Sequence, residues 1–338
     1  MRSASNLIPA LNTDRNAERA RLRRRIRPPI WVTLGCALMV FFFCGVALDS
    51  AQGPPPPADR RDTIRSQVNL VTVITSVLDK DHHPAANLTA DQFEIYEEGV
   101  QQKIDVFEPD TQTPLDLALM IDCSMSETQE LEFERQAAAS FIGQVVRPTD
   151  RLAVFGFSDV VTRVGGFSSD LTYLQTSLRR LEPGAGTALY DAVYLGSEAL
   201  GRNPPGRRRV IVLLTDAGET TSHADFNMAR DAAVRADTLL YTICIRAVTN
   251  EGGRNTAGEH ALETIADSTG GAIYYLDNLK QLGATFDLIN RELRTQYRLA
   301  YYPDPRPPQG TYRSIDVHVA GEYIVHSRKI YFTGGLPE

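Results

Sequence analysis

Apolar and polar positions alternate in four textures along the chain. Between Ile30 and Leu48 no charged residue occurs, and an uncharged apolar run of that length is about what a helix needs to cross a bilayer core. From Val68 to Phe107 the pattern is that of short strands: Val68–Leu78, a polar turn over Asp79–Pro84, then Phe93–Tyr96 and Ile104–Phe107. From Leu115 strand and helix patterns alternate. Leu115–Ile121 is nearly continuous in apolar residues, as a strand covered on both faces requires. Phe133, Ala137, Phe141 and Val145 follow at helical spacing. Leu152–Phe157 and Val160–Phe167 are separated only by Ser158 and Asp159, which predicts a hairpin and so one antiparallel strand.

Further along, Leu189, Ala192, Val193, Gly196, Ala199 and Leu200 make one helix face, and Val210–Leu214 and Leu239–Ile245 read as central strands. A helix over Glu259–Ser268, a strand over Ala272–Leu276 and a helix striped by Leu282, Phe286, Ile289 and Leu293 complete the series. The order β-α-β-β-α-α-β-α-β-α-β-α predicts a doubly wound α/β domain with a mostly parallel six-stranded sheet. Past Tyr297 strands return at Arg298–Tyr302, Ser314–Val319 and Ile324–Phe332. Neither β-rich flank is long enough to cover itself, so residues 65–109 and 298–333 are expected to form one β-sandwich into which the α/β domain, residues 112–296, is inserted.

Charge adds orientation. The net charge is −7, yet residues 1–27 carry eight Arg against Asp14 and Glu18. This basic head, residues 1–29, precedes the apolar run 30–48, and the positive-inside bias would keep it in the cytoplasm and send the remainder across the membrane. Gly45-Val46-Ala47 offers small residues for cleavage, so the alternative is a signal segment and a secreted or periplasmic product. Gly53–Asp59 is proline-rich and reads as part of a stiff linker over 49–64. The acidic balance of the rest excludes nucleic acid as its expected partner. Cys36 and Cys44 lie in the apolar run, which leaves Cys123 and Cys244 and no disulfide framework.

Ligands of open α/β sheets bind at the carboxyl ends of the strands. Asp122-Cys-Ser124-Met-Ser126 follows the first strand, Gly184-Ala-Gly186-Thr187 precedes a helix, and Thr215-Asp216 follows a central strand. In this combination the chain resembles a von Willebrand factor A-type (VWA) domain, whose metal-ion-dependent adhesion site (MIDAS) has the pattern Asp-x-Ser-x-Ser, then Thr, then Asp. The resemblance covers about residues 112–296 and implies that Asp122, Ser124, Ser126, Thr187 and Asp216 hold a divalent cation. It further implies an open coordination position for a Glu or Asp carboxylate supplied by a partner protein. Hydroxyl and carboxylate oxygens are hard donors that suit Mg²⁺, with Mn²⁺ or Ca²⁺ as substitutes. The flanking motifs Leu88–Gly99 and Gln296–Tyr302, with Arg313, resemble the VWFA-related proteins of acidobacteria. One departure is Ala217, where the family commonly has Gly directly after the second Asp.

Other residues have plainer readings beside sharper ones. Glu219 and His223 could line the partner face or serve a helix start. Asp191 could support the metal through water or sit as a helix-terminal carboxylate. His82 and His83 read as a solvated turn before a metal site, Arg207–Arg209 as a solvated loop before an acidic-partner dock, and Cys123 as a packed residue before a redox thiol. No Gly-x-Ser-x-Gly elbow, Walker A lysine or His-Glu-x-x-His occurs. The expectation is therefore a binding module for protein ligands, not an enzyme. The alternatives are a domain whose metal only stabilises the fold and, behind it, a metal-assisted hydrolase using Asp122 and Asp216.

Overall fold

The computed structural model describes residues 70–110, 112–124, 128–246 and 255–334. The basic head, the apolar run 30–48 and the proline-rich linker lie outside them. Among the described residues no helix is long and apolar enough to cross a membrane.

The α/β domain is built on a six-stranded sheet, β5 (Leu115–Asp122), β6 (Arg151–Phe157), β7 (Val161–Ser168), β8 (Arg208–Thr215), β9 (Thr238–Ile245) and β10 (Ala272–Leu276). Its spatial order is β10-β9-β8-β5-β6-β7, with every neighbouring pair parallel except the β6–β7 hairpin. All eight residues of β5 are buried, because helices cover both faces, and this is why its apolar run scarcely alternates. The odd-numbered Leu115, Leu117, Leu119 and Ile121 pack with α1 (Thr128–Val145), α2 (Leu171–Ser177) and α6 (Leu282–Leu293). Ala118 and Met120 face α3 (Leu189–Gly201), α4 (Phe226–Arg235) and α5 (Thr256–Thr269). On the first face Phe141 stacks on Phe286 with ring centroids 4.4 Å apart, an arrangement that adds to simple burial.

Asp116 interrupts that apolar strand near its amino-terminal end. Its side chain is fully buried and is clamped by Arg151, with Oδ2–Nη2 2.6 Å, and by Arg207, with Oδ1–Nε 2.5 Å. Arg207 also donates to the carbonyls of Leu115 and Thr149. The ion cluster thus ties the amino-terminal ends of β5, β6 and β8 together.

The two flanks intermix. One four-stranded sheet has the order β13-β1-β11-β4 and the other β14-β12-β2-β3, from β1 (Val71–Leu78), β2 (Phe93–Glu97), β3 (Val100–Gln102), β4 (Val106–Asp110), β11 (Gln296–Tyr301), β12 (Tyr312–Val319), β13 (Ile324–Ser327) and β14 (Ile330–Phe332). β1 pairs antiparallel with β11, and β2 with β12, so strands from either side of the α/β domain share both sheets. Val73, Leu299 and Tyr301 of one sheet meet Ile95, Ile315 and Val317 of the other in a third core. Glu97, also buried there, accepts from the hydroxyls of Tyr301 and Tyr331 and from Arg313 Nε, which satisfies a carboxylate that would otherwise be costly to bury.

Two expectations need correction. The stretch Ile324–Phe332 is two strands in different sheets, because the chain turns at Arg328 and Lys329, where Ile315 N–H donates to the Lys329 carbonyl and Lys329 N–H to Asp267. On α1, Phe133 is exposed while Leu131, Ala138, Phe141, Ile142 and Val145 are buried. The covered stripe mixes three- and four-residue steps, so a strict four-residue series drifts off it.

Candidate functional site

The chain ends of β5 and β8 bring the candidate oxygens together. Asp122 is the last residue of β5 and is buried; Ser124 N–H donates to its Oδ1 at 3.0 Å and Thr215 Oγ to its Oδ2 at 2.6 Å. Ser124 forms a β-bridge with Gly184, and Gly184 N–H donates to the Cys123 carbonyl at 3.0 Å. That contact draws the glycine-bearing loop against the end of β5. Gly184 has to be small, since a Cβ there would lie 2.2 Å from Ser158 Oγ.

Thr187 is buried at the end of the same loop and is held by the β8–α4 loop: its N–H donates to Thr220 Oγ at 2.8 Å, and its carbonyl accepts from Thr220 N–H at 2.9 Å. Asp216 follows β8, is exposed, and accepts from Gly218 N–H at 2.8 Å. A Cβ placed on Gly218 would lie 2.9 Å from Asp216 Oδ1 and 3.4 Å from Thr187 Oγ, so these two oxygens flank one point. The charge of Asp216 also reaches Asp122. Asp122, Ser124, Thr187 and Asp216 are therefore brought together; Ser126 lies outside the described residues.

Burial pushes the Asp122 carboxyl up to about 6, against the pull of its bonds from Ser124 and Thr215, and the Asp216 charge adds to the rise. Among the described residues no Lys or Arg pairs with it. Two carboxylates and two hydroxyls make an oxygen-only donor set, and that set fits a hard divalent cation. Cys123 is no donor to it. Its thiol is buried, points to the Ile121 carbonyl at 3.5 Å, and is pushed up to about 12 by burial and by Asp122. A thiol so held packs as a small buried residue.

The residues expected around the site have structural employment. Glu219 accepts from Tyr190 N–H at 3.1 Å, and from Ser222 N–H and Oγ, which caps the start of α3. Asp191 accepts from the N–H groups of His223 and Ala224; burial raises its carboxyl, and these bonds outweigh that to leave it lowered. The His223 ring is exposed, with Nδ1 3.2 Å from Asp191 Oδ2. Thr215, Thr220 and Ser222 were not foreseen. The only local signal was a hydroxyl residue directly before Asp216.

Ala217 sits in the left-handed region at φ 64°, a conformation that favours the Gly expected there. The loop keeps the glycine-type path with a buried methyl on it. Space for that path comes from α5, where a Cβ on Gly258 would lie 1.9 Å from the Ala217 carbonyl oxygen.

A second group of possible cation ligands lies in the turn after β1, where ligand atoms of Asp79, Asp81 and His83 fall within 4.8 Å of one another. Asp79 Oδ1 accepts from the N–H groups of Asp81 and His83, both at 2.9 Å, so the turn itself accounts for the convergence.

Residues 117–219 match the family model of the von Willebrand factor type A domain. That segment runs from β5 through the Asp216 loop. No curated protein matches the chain in sequence. Solved structures it is similar to include BatB, a conserved hypothetical protein from Bacteroides thetaiotaomicron, at 16% identity over 54% of this chain and 100% of that one, TM-score 0.43. A von Willebrand factor type A protein from Catenulispora acidiphila is 12% identical over 79% of this chain and 74% of that one, TM-score 0.47. Proximal thread matrix protein 1 from the mussel byssus, with a zinc-occupied MIDAS motif, is 14% identical over 58% and 49%, TM-score 0.47.

Proposed function

We propose that the chain is a binding module, not an enzyme, that attaches a partner protein through a divalent cation, with Mg²⁺ as the ion and Mn²⁺ or Ca²⁺ as substitutes. Asp122, Ser124, Thr187 and Asp216 would hold it, with Ser126 as the fifth residue of the MIDAS pattern. The bound ion would supply a directional attachment for a Glu or Asp carboxylate of the partner. Thr215 orients Asp122, and Thr220 holds the backbone of Thr187. The apolar run 30–48, preceded by the arginine-rich head, supports display on the outer side of a membrane, for adhesion or assembly of an envelope complex. The observation that carries this reading is the convergence of oxygen donors from three separate loops beside a buried carboxylate that, among the described residues, no basic side chain neutralises.

Magnesium is expected to raise the melting temperature of the wild-type chain, and Asp122→Ala and Thr187→Ala to erase that increment. A photo-crosslinker at the exposed Thr221, used in intact cells, should give adducts that disappear with EDTA and with Asp122→Ala. Adducts indifferent to both would sink the binding role. A magnesium increment without chelator-sensitive adducts would support the second reading, a metal that only stabilises the fold, which the bonds tying Asp122 to Thr215 and Ser124 favour.

A further inference from the structure

The opposite end of the six-stranded sheet carries an arginine cluster that the metal-centred reading leaves unused. A cavity of about 300 Å³ lies where the amino-terminal ends of β8 and β9 meet the flanking sheets, and its walls include Arg207, Arg208, Arg209, Arg298 and Arg328 with Asp110 and Asp237. The strands are eight residues long, so it sits roughly 20–25 Å from the oxygen cluster at their other ends.

Three of these guanidinium groups have a buried Nε with no hydrogen-bond partner: Arg208, Arg209 and Arg328. Arg208 is 6% exposed; its other nitrogens reach Gln296 Oε1 and, at 3.5 Å, the Asp110 carbonyl, and Asp110 Oδ2 is 3.6 Å away. Burial lowers its affinity for its proton, against the pull of Asp110, as expected of a cation that its surroundings compensate poorly. Arg209 donates only to the carbonyls of Ala236 and Asn203. Arg328 donates to Asp237 at 2.8 Å and to the Thr72 carbonyl.

The charges around the cavity do not balance. Arg208 pairs with Asp110, Arg328 with Asp237 and Arg298 with Glu108, while Arg207 and Arg151 share Asp116. Arg209 pairs with no carboxylate among the described residues. Six guanidinium groups against four carboxylates leave a surplus of two positive charges.

We propose that this cavity binds a small dianionic oxyanion of the phosphate class. Guanidinium forks match tetrahedral oxyanions in geometry as well as charge. A dianion would take up the surplus of two. The mouth is open beside Gly206, where a Cβ would meet nothing within 4 Å. The occupied cavity would brace the α/β domain against the strands that flank it.

The test uses the full chain in EDTA, which removes any contribution from a bound cation, with inorganic phosphate titrated against sodium chloride at matched ionic strength. Calorimetry is expected to show saturable binding of one phosphate per chain, and the melting temperature to climb with phosphate concentration. Arg209→Gln should weaken binding by about tenfold or more. Thr113→Glu, which sets a carboxylate in the cavity wall without removing a fold contact of the arginines, should abolish it and keeps the test valid if Arg209→Gln fails to fold. Asp122→Ala should bind phosphate as the wild type does. A phosphate response no greater than that of chloride, or one unchanged by Thr113→Glu, would overturn the proposal.

Discussion

Two buried aspartates on β5 sit six positions apart and are treated in opposite ways. At the amino-terminal end Asp116 is neutralised by the protein itself, held by Arg151 and Arg207 within a single ion cluster. At the carboxyl-terminal end Asp122 receives only a hydroxyl and groups of Ser124, and burial raises its carboxyl to about 6. Burying a carboxylate is expensive wherever it occurs. The fold meets that cost internally at one end of the strand; at the other, among the described residues, no basic side chain meets it, and on the proposed reading a bound cation would. One aspartate therefore belongs to the stability of the sheet, and the other is the one that the proposed function assigns to binding.

The largest effect should come from breaking the internal pair. Asp116→Ala leaves two guanidinium groups with no carboxylate at the base of three strands, and is expected to cost about 3–5 kcal/mol in urea unfolding while the magnesium increment survives at temperatures where the protein is folded. Asp122→Ala should do the reverse, changing metal-free stability by no more than about 1 kcal/mol and erasing the increment. Equal destabilisation by the two substitutions would remove the distinction between them.

A third buried carboxylate, Glu292 near the end of α6, sharpens the contrast. Burial pushes it up, but the His326 ring at 2.9 Å and the hydroxyls of Tyr274 and Ser76 pull harder, and its carboxyl ends below the usual range. A carboxyl lowered in the folded state contributes stability that is complete above its unfolded value, near 4.3, and is lost as pH falls through the folded value. Glu292→Gln is therefore expected to lower stability at pH 7 by about 1–3 kcal/mol and to flatten the loss of stability as pH falls below the unfolded carboxyl value. A variant whose acid limb superimposes on that of the wild type would show that the His326 and tyrosine contacts do not lower the Glu292 carboxyl.

The central strands and the order of the α/β elements were legible because covered strands need unbroken apolar runs, as in Leu117–Ile121 and Val210–Leu214. The convergence of Asp122, Ser124, Thr187 and Asp216 was legible because each lies at a strand or helix end, where topology dictates proximity. Thr215 and Thr220 were not. Their partners, Asp122 and Thr187, lie 93 and 33 residues away, and no local pattern encodes such a contact. β3 was missed for a different reason: Val100-Gln-Gln102 is a short edge strand with two exposed residues, so it carries little of the alternation that marks a strand. The arginines of 207–209 read as a solvated loop in the sequence, because three charges in a row say nothing about which of them the adjoining sheets will cover.

The smallest predicted effect concerns the departure at Ala217, which lies between the candidate ligand Asp216 and the glycine Gly218. A left-handed backbone costs Ala about 1 kcal/mol relative to Gly. Ala217→Gly would remove that strain, but it would also uncover the space of a buried methyl, worth about 0.8 kcal/mol, and loosen the unfolded chain by roughly 0.4–1 kcal/mol. These terms nearly cancel, so the melting temperature is expected to move by less than the equivalent of about 1 kcal/mol. The magnesium increment should be intact, because Gly218 N–H still fixes Asp216 and the Gly258 surface still sets the path of the carbonyl. A lost increment at unchanged stability would mean that the methyl positions the loop, and the carboxyl-terminal end of the strand would then depend on packing as closely as Asp116 depends on its arginines.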